Sequence, residues 1–339
     1  MKLCVRILKA ACRLMLGLIL LISVAWASGA LWFDFPVSTL RHAVACTFVV
    51  LVTATWIMMR KSAWLGRGVV ALSVVAVACW WGTLKPRLDR DWQEDVSQLP
   101  WADIQGEVIT LHNVRNFDHR STTDYKPEWQ TRQVRLSQIS GVDLFINYWG
   151  SPWMAHPIVS FQIMGEKPLC FSIETRKEKG ESYSALGGLY RQFELYYVVA
   201  DERDVVRLRT NIRPGETSYL YRTRMTAEKA RERFMEYVTR INQLRQQPSW
   251  YHALTSNCTT AIRGQRAEAR RLPWDWRLIV NGKGDELLYD QHLIFDDGLP
   301  FQELRSRALI NEAARAADTS PDFSSRIRMG RPGFEDEKK

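Results

Sequence analysis

The chain has 339 residues, 46% hydrophobic and 24% charged, with a formal net charge of +9. Such a composition supports a packed core and excludes wholesale disorder, while six cysteines with no CxxC pair exclude a disulfide scaffold and the usual zinc ribbons. Apolar residues crowd the region before position 85 and the remainder is polar and Arg-rich, so a simple soluble globule is excluded and the basic balance points to an anionic lipid surface.

Three uncharged apolar stretches come first, Leu14–Phe33, Ala43–Met59 and Gly68–Leu84. Each approaches the roughly 17–25 residues that cross about 30 Å of hydrocarbon as a helix. Lys2, Arg6, Lys9 and Arg13 precede the first stretch, and Arg60, Lys61 and Arg67 separate the second from the third, whereas only Arg41 lies between the first and second. The positive-inside rule therefore puts the N-terminus and the 60–67 loop in the cytoplasm, and everything after Leu84 outside. Trp80 and Trp81 suit an interfacial belt at that exit, although Lys85, Arg87 and Arg90 flank the same span. A cleaved signal peptide ending near Ala25–Ala27 is the alternative for the first stretch; its apolar run is long for one, and either reading leaves the C-terminal part outside. The expected organisation is a membrane domain over 1–88 with three transmembrane helices, a periplasmic domain over 89–305 and a disordered C-terminal tail over 306–339. The location this implies is the bacterial inner membrane, multi-pass, with the C-terminal domain periplasmic.

Past the linker Asp89-Arg90-Asp91-Trp92, alternation predicts strands at Gly106–His112, Gln133–Leu136, Leu144–Tyr148, Ile158–Met164, Leu169–Thr175, Phe193–Val199 and Val205–Arg209. Gly165-Glu166-Lys167-Pro168 reads as the turn of a hairpin. The spacing of Ala230, Phe234, Tyr237, Val238, Ile241 and Leu244 predicts a helix over Thr226–Gln247, capped by Thr226 and closed by Pro248. A second helix is expected from about Asn257 to Leu272. Strands followed by helices read as α+β.

The chemistry centres on Cys258, in Ser256-Asn257-Cys258-Thr259-Thr260 at an expected helix start. Free N–H groups and the helix dipole there stabilise a thiolate and an oxyanion; a buried, inert cysteine is the bland alternative. A thiol nucleophile needs a base. Among His112, His119, His156, His252 and His292, the best placed is His156, in the Gly150-Ser151-Pro152-Trp153-Met154-Ala155-His156-Pro157 segment that opens a strand. His252 reads as solvent-facing, and the spacing of His112 and His119 makes a metal pair weak. Strand side chains alternate, so His156, Ser160 and Gln162 share a face, and a turn near Glu166 adds Glu174, Ser172 and Cys170 to it. Glu174 is then the candidate carboxylate that orients His156, unless a one-residue slip turns it to solvent. A Cys170–Cys258 disulfide is a competing use of the thiols in an oxidising compartment.

These segments resemble a known pattern. Tyr148-Trp149-Gly150-Ser151 through His156, Phe171-Ser172-Ile173-Glu174-Thr175-Arg176 and Asn257-Cys258-Thr259-Thr260 are similar to the Lnb N-terminal periplasmic domain family over about 105–300. The resemblance implies a permuted papain-like (NlpC-like) domain, in which the histidine precedes the cysteine. It implies a membrane-anchored acyltransferase or hydrolase that works through an acyl-thioester on lipid-linked or lipoprotein substrates. Cys258 becomes the nucleophile and His156 the base. Gly-His is the commoner family form, where this chain has Ala155-His156-Pro157. The backbone of Cys258, its neighbours Asn257 and Thr259, and the Ser151–Trp153 loop are the expected oxyanion and substrate region. Trp149, Trp153 and Trp250 are expected to line an apolar approach, or else to pack in the core. Two other readings stay open: a cell-wall amidase or endopeptidase with the same Cys-His chemistry acting on peptidoglycan, and a non-catalytic envelope protein whose Arg203–Arg213 and Arg263–Arg271 runs contact lipid or a partner. Membrane lipid is the expected partner. No cofactor, metal or nucleic acid is expected.

Overall fold

A computed structural model describes residues 2–255, 258–264, 273–278 and 280–334, without the side chains of Lys2, Cys258, Thr259 and Arg263. The chain divides into two units, one holding the residues up to Pro86 with Tyr183–Phe193, the other Arg87–Ser182 with the residues from Glu194 onward.

In the first unit, α1 (Lys2–Asp34), α2 (Arg41–Met58) and α3 (Ala63–Thr83) are long and apolar enough to cross a membrane. The basic residues ahead of the first apolar stretch continue α1 rather than preceding it. Side chains such as Leu14, Leu21, Val50 and Leu72 point outward, as lipid-facing helices require. The loop residues of this unit pack on the helix ends. The Tyr190 ring stacks on Phe33 at 5.2 Å, the Arg191 N–H donates to Asp34 at 3.0 Å, and the Trp81 indole donates to the same carboxylate at 2.6 Å. Gly29 permits this approach, because a Cβ there would lie 2.0 Å from the Tyr190 hydroxyl.

The second unit is built on an eight-stranded sheet. Its strands are β1 (Trp101–Gln105), β2 (Val108–Arg115), β5 (Trp129–Arg135), β6 (Ile139–Tyr148), β7 (Ala155–Ile163), β8 (Leu169–Arg176), β9 (Glu194–Asp201) and β10 (Thr217–Arg222). The order is β1-β2-β9-β8-β7-β6-β10, with β5 also on β2; the β2–β9 contact is parallel and the other pairs are antiparallel. The short strands β3 (Asp118–His119) and β4 (Tyr125–Lys126) form a separate ribbon. Odd positions of the central strands meet α5 (Ala227–Gln246), where Phe161, Phe171, Phe234 and Tyr237 pack edge to face and tilted. Thr226 caps that helix through Lys229 N–H. Even positions such as Ile158, Cys170, Tyr196 and Val198 join a core with Val205, Val206, Ile310, Ala314 and Phe323.

Two expectations change. Residues 205–209, expected as a strand, form α4 (Glu202–Arg207) and a π-helical turn, Leu208–Ile212. Tertiary ion pairs override the β-branched composition: Glu202 is held by Arg328 and Asp204 by Arg115. The residues after 306, expected as a disordered tail, are folded through 334. After α6 (Cys258–Gly264), α7 (Gly284–Asp290) and α8 (Phe301–Ala308) come α9 (Asn311–Ala316) and α10 (Phe323–Arg326), and Arg328 and Phe334 are buried. Glycine, proline and charge at the end concealed apolar side chains at Ile310, Ala314, Phe323 and Ile327 that complete the core. The second expected helix is present over Cys258–Gly264; Asn257 and residues 265–272 lie outside the described residues.

Candidate active site

The β7–β8 hairpin turns at Gly165, whose φ of +77° suits glycine. Ile158 pairs with Ser172 and Ser160 with Cys170. The pairing is thus centred one residue before the turn position expected from sequence, yet parity is unchanged, and His156 and Glu174 share a face. His156 Nε2 lies 3.0 Å from Glu174 Oε1 and 2.7 Å from Ser172 Oγ, and the Ser172 hydroxyl donates to Glu174 Oε1 at 2.8 Å. His156 is buried and Glu174 half-buried.

A further residue completes the arrangement. Arg209 sits in the π-helical turn and donates to Glu174 Oε1 at 3.2 Å. It also holds Glu216 at 3.2 Å, and Arg213 reaches the same carboxylate at 3.5 Å. Burial alone would raise the Glu174 carboxyl, but His156, Arg209 and Arg213 outweigh it and hold the group well below the usual carboxylate range. Glu174 is therefore an anion throughout the neutral range. Sequence reasoning assigned Arg209 to a strand within a solvated basic run. The buried residues Val205, Val206, Leu208 and Arg209 stand at i, i+1, i+3 and i+4, a spacing that fits a helix against the sheet rather than a strand.

Cys258 is the first residue of α6, which packs against β7 and β8, the strands that carry His156, Ser172 and Glu174. The side chains of Cys258 and Thr259, and Asn257 altogether, lie outside the described residues. Ser151 and Trp153 stand in the loop before β7. The Ser151 hydroxyl accepts from Trp153 N–H at 3.2 Å, and the Trp153 carbonyl accepts from Gly282 N–H at 3.0 Å. Gly282 is required there, since a Cβ would meet the Trp153 backbone at 2.3 Å.

Cys170 is a free thiol, fully buried, and burial pushes it well above its ordinary value. The bridge to Cys258 weighed from sequence is absent. The other histidines lie elsewhere. His112 stacks on Trp101, His119 pairs with Asp204 at 3.2 Å, and His252 Nδ1 accepts from the N–H groups of Leu254 and Thr255 in a turn. Among the described residues no three His, Cys, Asp or Glu side chains gather as metal ligands.

On the other side of the sheet lies a cavity of about 670 Å³, within the range of small-molecule sites. Its described walls include Leu144, Ile146, Pro157, Val159, Ile262 and Leu288, with charged residues of α5 along one edge. Pro157 follows His156 in sequence, and Ile262 lies one helical turn after Cys258. The sheet side of the lining is aliphatic; the tryptophans expected to form the apolar approach are not among the described walls. Trp153 is instead half exposed, with the Lys283 ammonium 5.7 Å from its ring.

Comparison with known proteins agrees with the resemblance. The model of the Lnb N-terminal periplasmic domain family matches residues 125–282, a segment that contains His156, Ser172, Glu174, Arg209 and Cys258. No curated protein and no solved structure matches the chain. A periplasmic-domain segment behind three helices of membrane-crossing length fits a membrane protein with a periplasmic domain.

Proposed function

We propose that this protein is a membrane-anchored periplasmic thiol enzyme with a permuted papain-like domain, and that it transfers or hydrolyses acyl groups of lipid-linked or lipoprotein substrates at the inner membrane. One observation carries the reading: a buried histidine bound through one ring nitrogen to an ionised carboxylate, on strands that pack against the helix opened by Cys258. Glu174 and Ser172 occupy Nε2, so Nδ1 is the nitrogen that takes the thiol proton. The Cys258 thiolate attacks the ester carbonyl, and the oxyanion is met by the Cys258 N–H and a donor from the Ser151–Trp153 loop. Collapse expels the alkoxide, which leaves with the proton from His156, and an acyl-thioester remains. An amine or water then gives its proton to His156 and attacks the thioester, and the proton returns to the departing sulfur. Glu174 stabilises the imidazolium formed in each half-reaction.

The aliphatic sheet wall of the cavity favours an acyl chain over a cell-wall peptide, because that wall offers a peptide's amide groups no partners. Purified full-length protein is assayed on a diacylated lipopeptide and on muropeptides, alongside Cys258→Ala. Acyl transfer or release that Cys258→Ala abolishes is the expected result. Muropeptide cleavage without lipopeptide turnover replaces this reading with the amidase one. Equal labelling of wild type and Cys258→Ala by a thiol-directed activity probe removes catalysis altogether.

A further inference from the structure

Two chains of hydrogen bonds, one buried and one partly buried, lead away from the candidate site, and they meet at one residue outside the family match. The first starts at the His156 carbonyl, which accepts from Asn147 Nδ2 at 2.9 Å. Asn147 Oδ1 accepts from the Ser218 hydroxyl at 2.7 Å. The Ser218 N–H donates to Asn311 Oδ1 at 2.8 Å. The second starts at Glu174, which accepts from Arg209, itself held by the Glu216 carboxylate. The Glu216 carbonyl accepts from Asn311 Nδ2 at 3.0 Å.

The geometry has a simple cause. Strand β10 is the last in the sheet, so among the described residues its outer edge has no partner strand. The Asn311 amide acts there as a peptide unit, taking the N–H of Ser218 with its oxygen and offering its N–H to the carbonyl of Glu216. The Ile310 N–H adds a bond to the Ser218 carbonyl at 3.0 Å. Asn147 and Ser218 are fully buried and Asn311 nearly so, and a buried polar group left unpaired costs about 1–3 kcal/mol, so each arm resists displacement.

We propose that Asn311 is a positioning residue for the His156–Glu174 pair, fixing the histidine through Ser218 and Asn147 and the carboxylate through Glu216 and Arg209. The proposal rests on the functional reading above and deepens it: the C-terminal segment is part of the catalytic apparatus though it touches no reacting atom. A side chain that merely stiffens the fold changes the melting temperature. One that sets the imidazole–carboxylate contact also changes how readily the imidazolium forms, and with it the pH at which the Cys258 thiolate is populated.

The test is the pH profile of Cys258 alkylation by iodoacetamide, read by peptide mapping of the full-length protein in detergent, for wild type, Asn311→Ala, Ser218→Ala and the exposed neighbour Glu312→Gln. Wild type and Glu312→Gln are expected to share one acidic midpoint. Asn311→Ala is expected to raise it by about one pH unit, so alkylation at a pH well below the wild-type midpoint falls about tenfold while the rate at pH 9.5 is unchanged. Ser218→Ala, which removes a single oxygen and cuts one arm, shifts it in the same direction and decides the matter if Asn311→Ala does not fold. Folded variants with the wild-type midpoint overturn the positioning role and leave the functional reading standing. A wild-type midpoint at the ordinary thiol value near 8.5 overturns both.

Discussion

Alternate residues of the same two strands do opposite things. On one face of β7 and β8, His156, Ser172 and Glu174 are joined by hydrogen bonds to Arg209. On the other, Pro157 and Val159 border an aliphatic cavity, and Phe161 and Phe171 pack on α5. A period of two makes this division possible within a single hairpin. The faces differ in how they are stabilised. Charges on the polar face must be satisfied one by one, so Glu202 and Asp143 share Arg328, and Asp204 takes Arg115. The apolar face needs only shape, and it tolerates empty space.

The sharpest way to break this comparison is to remove the base. His156→Ala is expected to lower turnover on a lipid donor about 10³-fold, within the 10²–10⁴ range of general-base contributions. The fold should survive, because Glu174 keeps Arg209. A loss of less than tenfold in steady-state kcat would move the chemistry away from this face. Next in size is Arg328→Leu. It strands Glu202 and Asp143 in a fully buried setting, and removing one member of a buried ionic set costs about 3–5 kcal/mol. Leu144→Ala, on the wall of an existing cavity, is expected to cost about 2 kcal/mol, at the low end for its type. Urea midpoints of the two variants, read by tryptophan fluorescence, check the ranking; equal losses would erase the distinction between faces.

Glu174→Gln has a smaller effect on turnover, about tenfold, and a defined pH signature. The folded carboxyl lies below its unfolded value. Its stabilising contribution is therefore fully present above the unfolded range near pH 4.3 and disappears as pH falls through the depressed folded value. The stability gap between wild type and Glu174→Gln is expected to be full at pH 7 and to shrink below pH 4. A gap that is constant from pH 7 to 3 would mean that the carboxylate is not held as an anion by its neighbours.

Much of the polar face was legible before any coordinates, because hairpin parity depends only on the turn. Moving the turn centre from near Glu166 to Gly165 left His156 and Glu174 on one face, where a slip of the opposite parity would have separated them. The apolar spans were equally plain, since nothing but a membrane or a large core suits such runs. The remainder depended on distant partners. Arg209 joins the site only because α4 and the π-helical turn fold against the sheet, and that in turn requires Arg328, 126 residues beyond Glu202. Strand β10 was missed for a similar reason. Tyr219 and Tyr221 alternate, but Gly215, Glu216 and Thr217 give no apolar start, and its outer edge is completed by a segment that reads as tail.

The cavity gives the finest test of the comparison. Leu288 is half-buried on α7 and lines it opposite the sheet residues. Leu288→Trp places extra ring atoms in the space without touching His156, Ser172, Glu174 or Arg209. If an acyl chain occupies the cavity, displacing about two methylenes costs roughly 1.6 kcal/mol at about 0.8 kcal/mol each, so kcat/KM for long-chain donors is expected to fall about tenfold. Short-chain esters do not reach that depth and should react as before, and alkylation of Cys258 should keep its wild-type pH profile. Equal losses for long and short donors would mean that the variant disturbs the polar face through the sheet, and that the two faces are not the separable halves of one site.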